Sequence, residues 1–318
     1  MTIHFIDVGQ ADAFFIDYGE YEILIDGGNR KDGKTVIDYI RPLVDGPIEL
    51  VIATHMDSDH IGGLIDVVKE FDINKIIWNG EEKDNDTIKA FKNAAAKAKE
   101  FVVMKDEVIT ICPLSSIQII APIEYYNSNE HSIVSVLTYD EVKVLFTGDM
   151  ETRSERDLLD RFTKVDVLKS SHHGSRTSSN MSFLNITQPD YVIISCALKN
   201  SYGHPHYAAL QRYLDTGATV YGTFKDGTIV MTTDGKTYNI DATNIVTLAD
   251  AGDRKDNTAK DSLIENQNGT VYIGNISTKR LHYPGCDSVT QMTERNRVEF
   301  SSISEAAGYN PCGICRPQ

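Results

Sequence analysis

Four side chains able to ligate a metal fall within six residues: His55, Asp57, Asp59 and His60, in Thr54-His55-Met56-Asp57-Ser58-Asp59-His60-Ile61-Gly62-Gly63. Alternating positions in a turn can converge on one point, and imidazole with carboxylate suits zinc, manganese or iron. The plainer reading is a solvated turn that caps a helix. A cap needs one Asp or Ser, not two His and two Asp. Further candidates border later apolar runs: His131 before 133–137, Asp149 after 143–146, and His172 and His173 after 165–168. His204 and His206 flank Pro205, which stiffens their loop.

These side chains need elements to hold them. The apolar run 49–53 reads as a buried strand, and Ile61, Leu64, Ile65, Val68 and Phe71 recur at helical spacing. The first cluster therefore sits on a strand-to-helix loop. Residues 5–16 read as strand, tight turn, strand, with Gly9 at the bend. Asp7, Gln10 and Asp12 there either face the site or hydrogen-bond the turn. Residues 22–25 give a strand ending in Asp26-Gly27-Gly28. Helices are expected over 34–44, 87–100 and 151–162, and strands near 73–78, 101–104, 117–120, 143–147, 165–169 and 190–196. Further strands near 218–224, 228–233 and 237–240 close the domain.

His55-x-Asp57-x-Asp59-His60 resembles the H-x-H-x-D-H metal motif of the metallo-β-lactamase superfamily, with Asp57 in place of its second His. That departure and the Gly62-Gly63 that follows resemble the soluble hydrolase domain of ComEC-type DNA-uptake proteins. So do the opening Phe5-Ile6-Asp7-Val8-Gly9-Gln10-Ala11-Asp12, with Ala11 where Gly is usual, and the His204-Pro205-His206 element. Asp26, the 55–60 cluster, His131, Thr147-Gly148-Asp149 and His172-His173-Gly174-Ser175 follow the superfamily order over nearly all of 1–242. Of nine histidines only His4 lies outside these motifs and the C-terminal pattern below, which is not how scattered core imidazoles distribute.

The resemblance implies an α/β protein with a four-layer αββα metallo-β-lactamase fold and metals at one edge. It implies two divalent metals, zinc with manganese as an alternative. His55, Asp57 and His131 would surround one, and Asp59, His60 and either His172 or His173 the other, with Asp149 bridging. His131 is a ligand or sits beside one. Asp26 lies beneath the site and orients ligands, or serves a plain turn. Catalysis is assigned to Asp59, Asp26, His204 and His206. The two loop imidazoles bind a phosphate oxygen, protonate a leaving group, or cap the helix that starts at Tyr207. Two adjacent metals make hydroxide available near neutral pH, and Asp57 makes a harder ligand set that admits manganese. The implied function is a metal-dependent phosphodiesterase or nuclease. The alternatives are a hydrolase of a phosphocholine ester or lactone, and a binding protein with a vestigial site.

The chain has 318 residues, 41% of them hydrophobic, enough for a sizeable core, and a net charge of −15. Such a chain has no global field drawing it to DNA, so nucleic-acid contact must be local. No apolar run approaches the roughly 18 residues of a membrane span, and no signal peptide precedes the first strand. Five cysteines, an odd number, argue against a disulfide scaffold and for a cytoplasmic location. The expected organisation is a hydrolase domain over 1–243, a polar linker over 244–269 and a small module over 270–318. The module carries His282-x3-Cys286 and Cys312-x2-Cys315 and resembles the Ada-type zinc-binding module, with His282 where Cys is usual. Four such ligands suit one structural zinc, and a segment this short needs such a staple to fold. The module would recruit DNA or another partner.

Overall fold

A computed structural model of the chain describes residues 1–253, 272–282, 289, 292–300 and 305–312. The chain divides into two compact units, Met1–Asp256 and Asn257–Gln318.

In the first unit, β1 (Thr2–Phe5), β2 (Phe14–Asp17), β3 (Glu22–Ile25), β4 (Ile48–Ala53), β5 (Ile73–Trp78) and β6 (Glu100–Val103) lie side by side in chain order. The strands β7 (Glu107–Cys112), β8 (Ser115–Ile120), β9 (Val134–Tyr139), β10 (Val142–Phe146), β11 (Val167–Lys169), β12 (Tyr191–Ile194) and β13 (Thr219–Gly222) build a second, seven-stranded sheet. The chain then returns to the first sheet, where β14 (Ile229–Thr233) and β15 (Tyr238–Asp241) extend it beyond β1 to eight strands.

Side-chain alternation along the strands makes the layers. Ile3 and Phe5 of β1 and Phe14 and Ile16 of β2 face the second sheet, where Leu137, Val144 and Phe146 meet them. Phe15 points the other way. It joins the apolar faces of α1 (Gly33–Ile40), α2 (Ser58–Ile61), α3 (Leu64–Glu70) and α4 (Asp86–Ala95), through Val36, Ile61, Leu64 and Phe91. Leu145, Leu168 and Val192 on the far side of the second sheet pack with residues of α6 (Met181–Thr187) and α7 (Tyr207–Asp215), and Leu158 at the end of α5 (Thr152–Asp157) joins them. The result is the four-layer αββα fold. The Phe5, Phe14 and Phe146 rings lie 5.4–6.0 Å apart across the sheets. Such pairs add about 0.5–1.5 kcal/mol beyond burial, and Phe146 thereby anchors the strand that delivers Asp149.

Strand direction then places the site. β3 and β4 run parallel, as do β10, β11 and β12. Loops leaving the carboxyl ends of parallel strands emerge at one edge, where α/β sheets hold their ligands. These loops carry Asp26, the 55–60 cluster, Asp149, His172 and His173. Glycine is required where two of them cross: Gly63 N donates to Gly28 O at 2.9 Å, and a Cβ on Gly63 would lie 1.8 Å from Gly27 O.

At the opposite end of the first sheet, Glu22 is buried beside Glu49; Glu22 N donates to Glu49 Oε2 at 2.9 Å. Burial and the adjacent Glu49 carboxyl push Glu22 up to about 8. The folded chain therefore holds a proton there that the unfolded chain has released, and stability falls as pH rises from the ordinary glutamate range through about 8. Glu22→Gln keeps the shape without the charge, so it should flatten the fall in melting temperature between pH 5 and 8. An unchanged pH profile would contradict this.

Residues 244–253, expected within a linker, pack on the first unit. Val246 is buried and its N–H donates to Val220 O at 2.8 Å. Thr247 and Asp250 form a capping box, and Asp253 Oδ1 accepts from Tyr207 N at 2.8 Å. The polarity that suggests solvation here serves caps and loop ends instead. The rest of the expected linker, 254–269, lies outside the described residues.

The second unit is a four-stranded sheet in the order β18 (Arg297–Phe300), β16 (Tyr272–Asn275), β17 (Arg280–His282), β19 (Asn310–Pro311). Leu281 pairs with Pro311 in parallel and Cys312 N, just past β19, donates to Leu281 O at 2.8 Å, so His282 and Cys312 follow a paired position side by side, and both are buried. Cys286 and Cys315 lie outside the described residues.

Candidate metal centre

Asp149 is the hub. Its carboxylate is buried, and four imidazole Nε2 atoms surround it: His60 at 3.4 Å from Oδ1, and His172, His173 and His55 at 3.6, 3.6 and 4.0 Å from Oδ2. These gaps are too long for hydrogen bonds. They match the spacing of two ligands on one tetrahedral metal, about 3.4 Å for bonds of ~2.0–2.1 Å.

In each ring the other nitrogen fixes the tautomer. His60 Nδ1 donates to Asp26 Oδ2 at 2.8 Å. Thr54 also donates to Asp26, from its hydroxyl at 2.7 Å and its N–H at 2.9 Å, which leaves Thr54 Oγ1 to accept from His55 Nδ1 at 3.3 Å. His173 Nδ1 donates to Ser195 O at 2.9 Å, and His172 Nδ1 to Glu151 Oε1 at 3.0 Å. All four Nε2 lone pairs are thus turned to the hub, as metal-ligating imidazoles require. Asp26 sits beneath the site in a left-handed conformation, φ 57°. Left-handed non-glycine backbone is strained.

Asp57 stands at the head of α2 but makes no cap hydrogen bond to it. Its Oδ1 lies 2.9 Å from Ser128 Oγ and its Oδ2 3.8 Å from His55 Nε2. Asp59 Oδ2 lies 3.6 Å from His173 Nε2. Among the described residues His131 is in none of the groups that converge to within 4.8 Å, and neither are His172 and Asp57. Its ring stands edge-on to Tyr125 at 4.9 Å, Glu81 is the charge acting on it, and its Nδ1 is buried without a hydrogen-bond partner.

The pocket is built for cations. Burial opposes ionising Asp149 and Asp59, yet the surrounding histidines hold both carboxyls well below the usual range. Burial alone would lower His173, but Asp149 and Asp12 push it up to about 10. A metal fits the same residues. His55 Nε2, His60 Nε2, His173 Nε2 and Asp149 Oδ1 are buried and lack hydrogen-bond partners. His55–His60–Asp149 and Asp59–His60–His173 each converge to within 4.8 Å. Because protons occupy His60 and His173 when no metal does, metal affinity should fall with falling pH.

Of the opening turn, Gln10 and Asp12 face the site, while Asp7 Oδ1 accepts from Gly9 N at 3.0 Å and serves the turn. Asp12 Oδ1 lies 3.2 Å from His173 Nδ1. Its Oδ2 accepts from the ammonium of Lys169, a wholly buried side chain at 2.6 Å. Sequence reasoning passed over Lys169, Glu151 and Thr54. Lys169 leaves one signal, a lone cation ending an apolar strand. Glu151 and Thr54 leave none apart from adjoining a motif.

His204 is buried with its ring 5.5 Å from that of His172 and 6.0 Å from that of His173. Gln10 Nε2 donates to His204 Nδ1 at 3.1 Å, so Nε2 carries the proton. Burial, then the neighbouring histidine charges, lower His204 to about 2. His206 spends both nitrogens on backbone: Nδ1 accepts from Arg176 N at 2.9 Å and Nε2 donates to Tyr202 O at 3.1 Å.

A two-sheet sandwich with a histidine and carboxylate cluster at the carboxyl ends of its strands defines a metallohydrolase. A match to the metallo-beta-lactamase superfamily spans residues 6–197, and the chain belongs to that family of metal-dependent hydrolases. It is 27% identical over 253 residues to ComE operon protein 3 of Bacillus subtilis, covering 71% of this chain and 32% of that protein. It is 28% identical over 216 residues to Recombination protein 2 of Haemophilus influenzae, covering 65% and 26%. The chain thus spans about a third or less of the length of these ComEC-type relatives. Among solved structures, the metallo-beta-lactamase fold protein YhfI of Bacillus subtilis aligns with TM-score 0.46 and 15% identity, covering 70% of this chain and 95% of that one. Among the described residues no helix is long and apolar enough to cross a membrane.

Proposed function

We propose that this chain is a phosphodiesterase that acts on nucleic acid and uses two divalent metals, zinc or manganese, gathered around Asp149. The observation that carries the reading is the gathering of four Nε2 atoms around the buried Asp149 carboxylate, with Asp57 beside His55, Asp59 beside His173 and His204 next to the histidine pair. When bound, a metal pair supplies Lewis acidity and a water acidic enough to deprotonate near neutral pH. The residues do the rest. Asp26 and Thr54 hold His60 and His55 in the ligating tautomer. Lys169 holds Asp12 against His173. Asp59 is a ligand, and its ionised state keeps negative charge on the pocket. Gln10 fixes His204 with its Nε2–H free to meet an oxygen of the phosphoryl group. His206 locks the loop that presents His204.

The name Recombination protein 2 ties that relative to recombination, which supports nucleic acid as the substrate. A cytoplasmic location is part of the same proposal, supported by Cys112 and Cys196 standing unpaired. The test is incubation of zinc- or manganese-loaded protein with single-stranded DNA, double-stranded DNA, RNA and bis-p-nitrophenyl phosphate. Cleavage of at least one polynucleotide is expected. Turnover confined to a lactone or phosphocholine ester would contradict the reading.

The second unit is proposed to hold one structural zinc through His282, Cys286, Cys312 and Cys315. The register of His282 beside Cys312 supports it, as does a core made of two small clusters around Ile273 and Tyr272. Such a core needs a staple. Cys312→Ser should release about one zinc equivalent and leave bis-p-nitrophenyl phosphate hydrolysis intact. Lost hydrolysis would mean that the unit is not independent of catalysis.

A further inference from the structure

We infer that His172 takes the ligand position that the sequence pattern gives to His131, so that the adjacent histidines after β11 serve different metals. The inference rests on the two-metal reading above.

His173 is committed to one side, because its Nε2 converges with Asp59 and His60. His172 Nε2 lies 3.6 Å from the same Asp149 oxygen that His55 Nε2 faces at 4.0 Å, and His55 Nε2 lies 3.8 Å from Asp57 Oδ2. His173 Nε2 also lies 3.6 Å from that oxygen, so the contacts with His55 and Asp57, not the oxygen, separate the two sides. These pairwise contacts link His55, Asp57, Asp149 and His172 as the second set, more loosely than the groups that converge to within 4.8 Å.

Three further observations separate His172 from His131. First, His172 and His173 both adopt left-handed backbone, φ 47° and 53°. Such strain persists where the surroundings enforce it, and here it turns both rings inward. One ligand would not need two. Second, His172 Nδ1 donates to Glu151, whose Oε1 also accepts from Thr177 Oγ1 at 2.7 Å. Glu151 heads α5 yet makes no cap bond to it. Its carboxylate is spent on orienting an imidazole, the partner that metal-binding histidines usually have. Third, His131 has no such partner: its buried Nδ1 is unpaired, and its ring packs on Tyr125.

Metal counting on the full chain tests this without any substrate. His131→Ala, His172→Ala and Glu151→Gln are compared with the natural chain after dialysis, by elemental analysis and by the visible spectrum of the cobalt-loaded protein. His172→Ala should lose one metal equivalent, and His131→Ala should keep the full complement with an unaltered cobalt spectrum. Glu151→Gln should retain the fold and bind one metal about 10–100-fold more weakly. That variant carries the test if His172→Ala fails to fold. Loss of an equivalent in His131→Ala, or unchanged metal binding in both His172→Ala and Glu151→Gln, would overturn the assignment. The expected counts in a protein that cleaves no phosphodiester would leave the assignment standing and remove the substrate reading alone.

Discussion

Asp149→Ala should lose the active-site metals and hydrolysis together. Among the described residues Asp149 is the one carboxylate within 4.0 Å of all four imidazole Nε2 atoms. Removing it empties the centre of both ligand sets and leaves the four nitrogens without the anion they share, Asp57 and Asp59 each facing only one of them. Metal Lewis acidity supplies several kcal/mol of transition-state stabilisation. At about 1.4 kcal/mol per tenfold, the loss should be at least ~10³-fold. The fold should survive, because Phe146 and the sandwich core that hold this strand do not involve the carboxylate. Elemental analysis, turnover of bis-p-nitrophenyl phosphate and a thermal melt check the three parts. Full metal content with full activity would remove Asp149 from the centre.

His204→Ala should keep both metals and lose about 10²–10³-fold in turnover, the usual effect of removing one preorganised donor to a charged oxygen. The chemistry follows from its protonation. With its pKa held near 2 by burial and neighbouring histidine charge, His204 is neutral at working pH. Bound metal cations would push it in the same direction. A neutral imidazole donates a hydrogen bond through Nε2–H but does not give its proton to a leaving group. The loss should therefore be equal on an activated nitrophenyl diester and on a dinucleotide, and flat between pH 6 and 9. A loss confined to the dinucleotide would make His204 a proton donor, and loss of metal would make it a ligand. His206→Ala should act differently. Both its nitrogens hold backbone, so it should loosen the loop and lower the melting temperature.

The sequence carried the fold well because each motif sits at the end of an apolar strand, and strand ends are legible from periodicity. Asp26, the 55–60 cluster, Asp149 and His173 all arrive at one edge for that reason. His131 stands in the expected order, but order does not determine what a ring touches: its ring packs edge-on against Tyr125. Gln10 holds His204 from 194 residues away, and Lys169 meets Asp12 across 157. Contacts that long leave no periodic trace. His206 looked like His204 in the sequence, and only its two backbone hydrogen bonds separate their roles.

The most direct measurement is a metal titration of metal-free protein, following bis-p-nitrophenyl phosphate hydrolysis against bound equivalents. Turnover should be absent without metal and should rise to a plateau as two equivalents fill beyond the one proposed for the C-terminal unit. Undiminished turnover in metal-free protein, or no phosphodiester turnover in the fully loaded protein, would contradict the account.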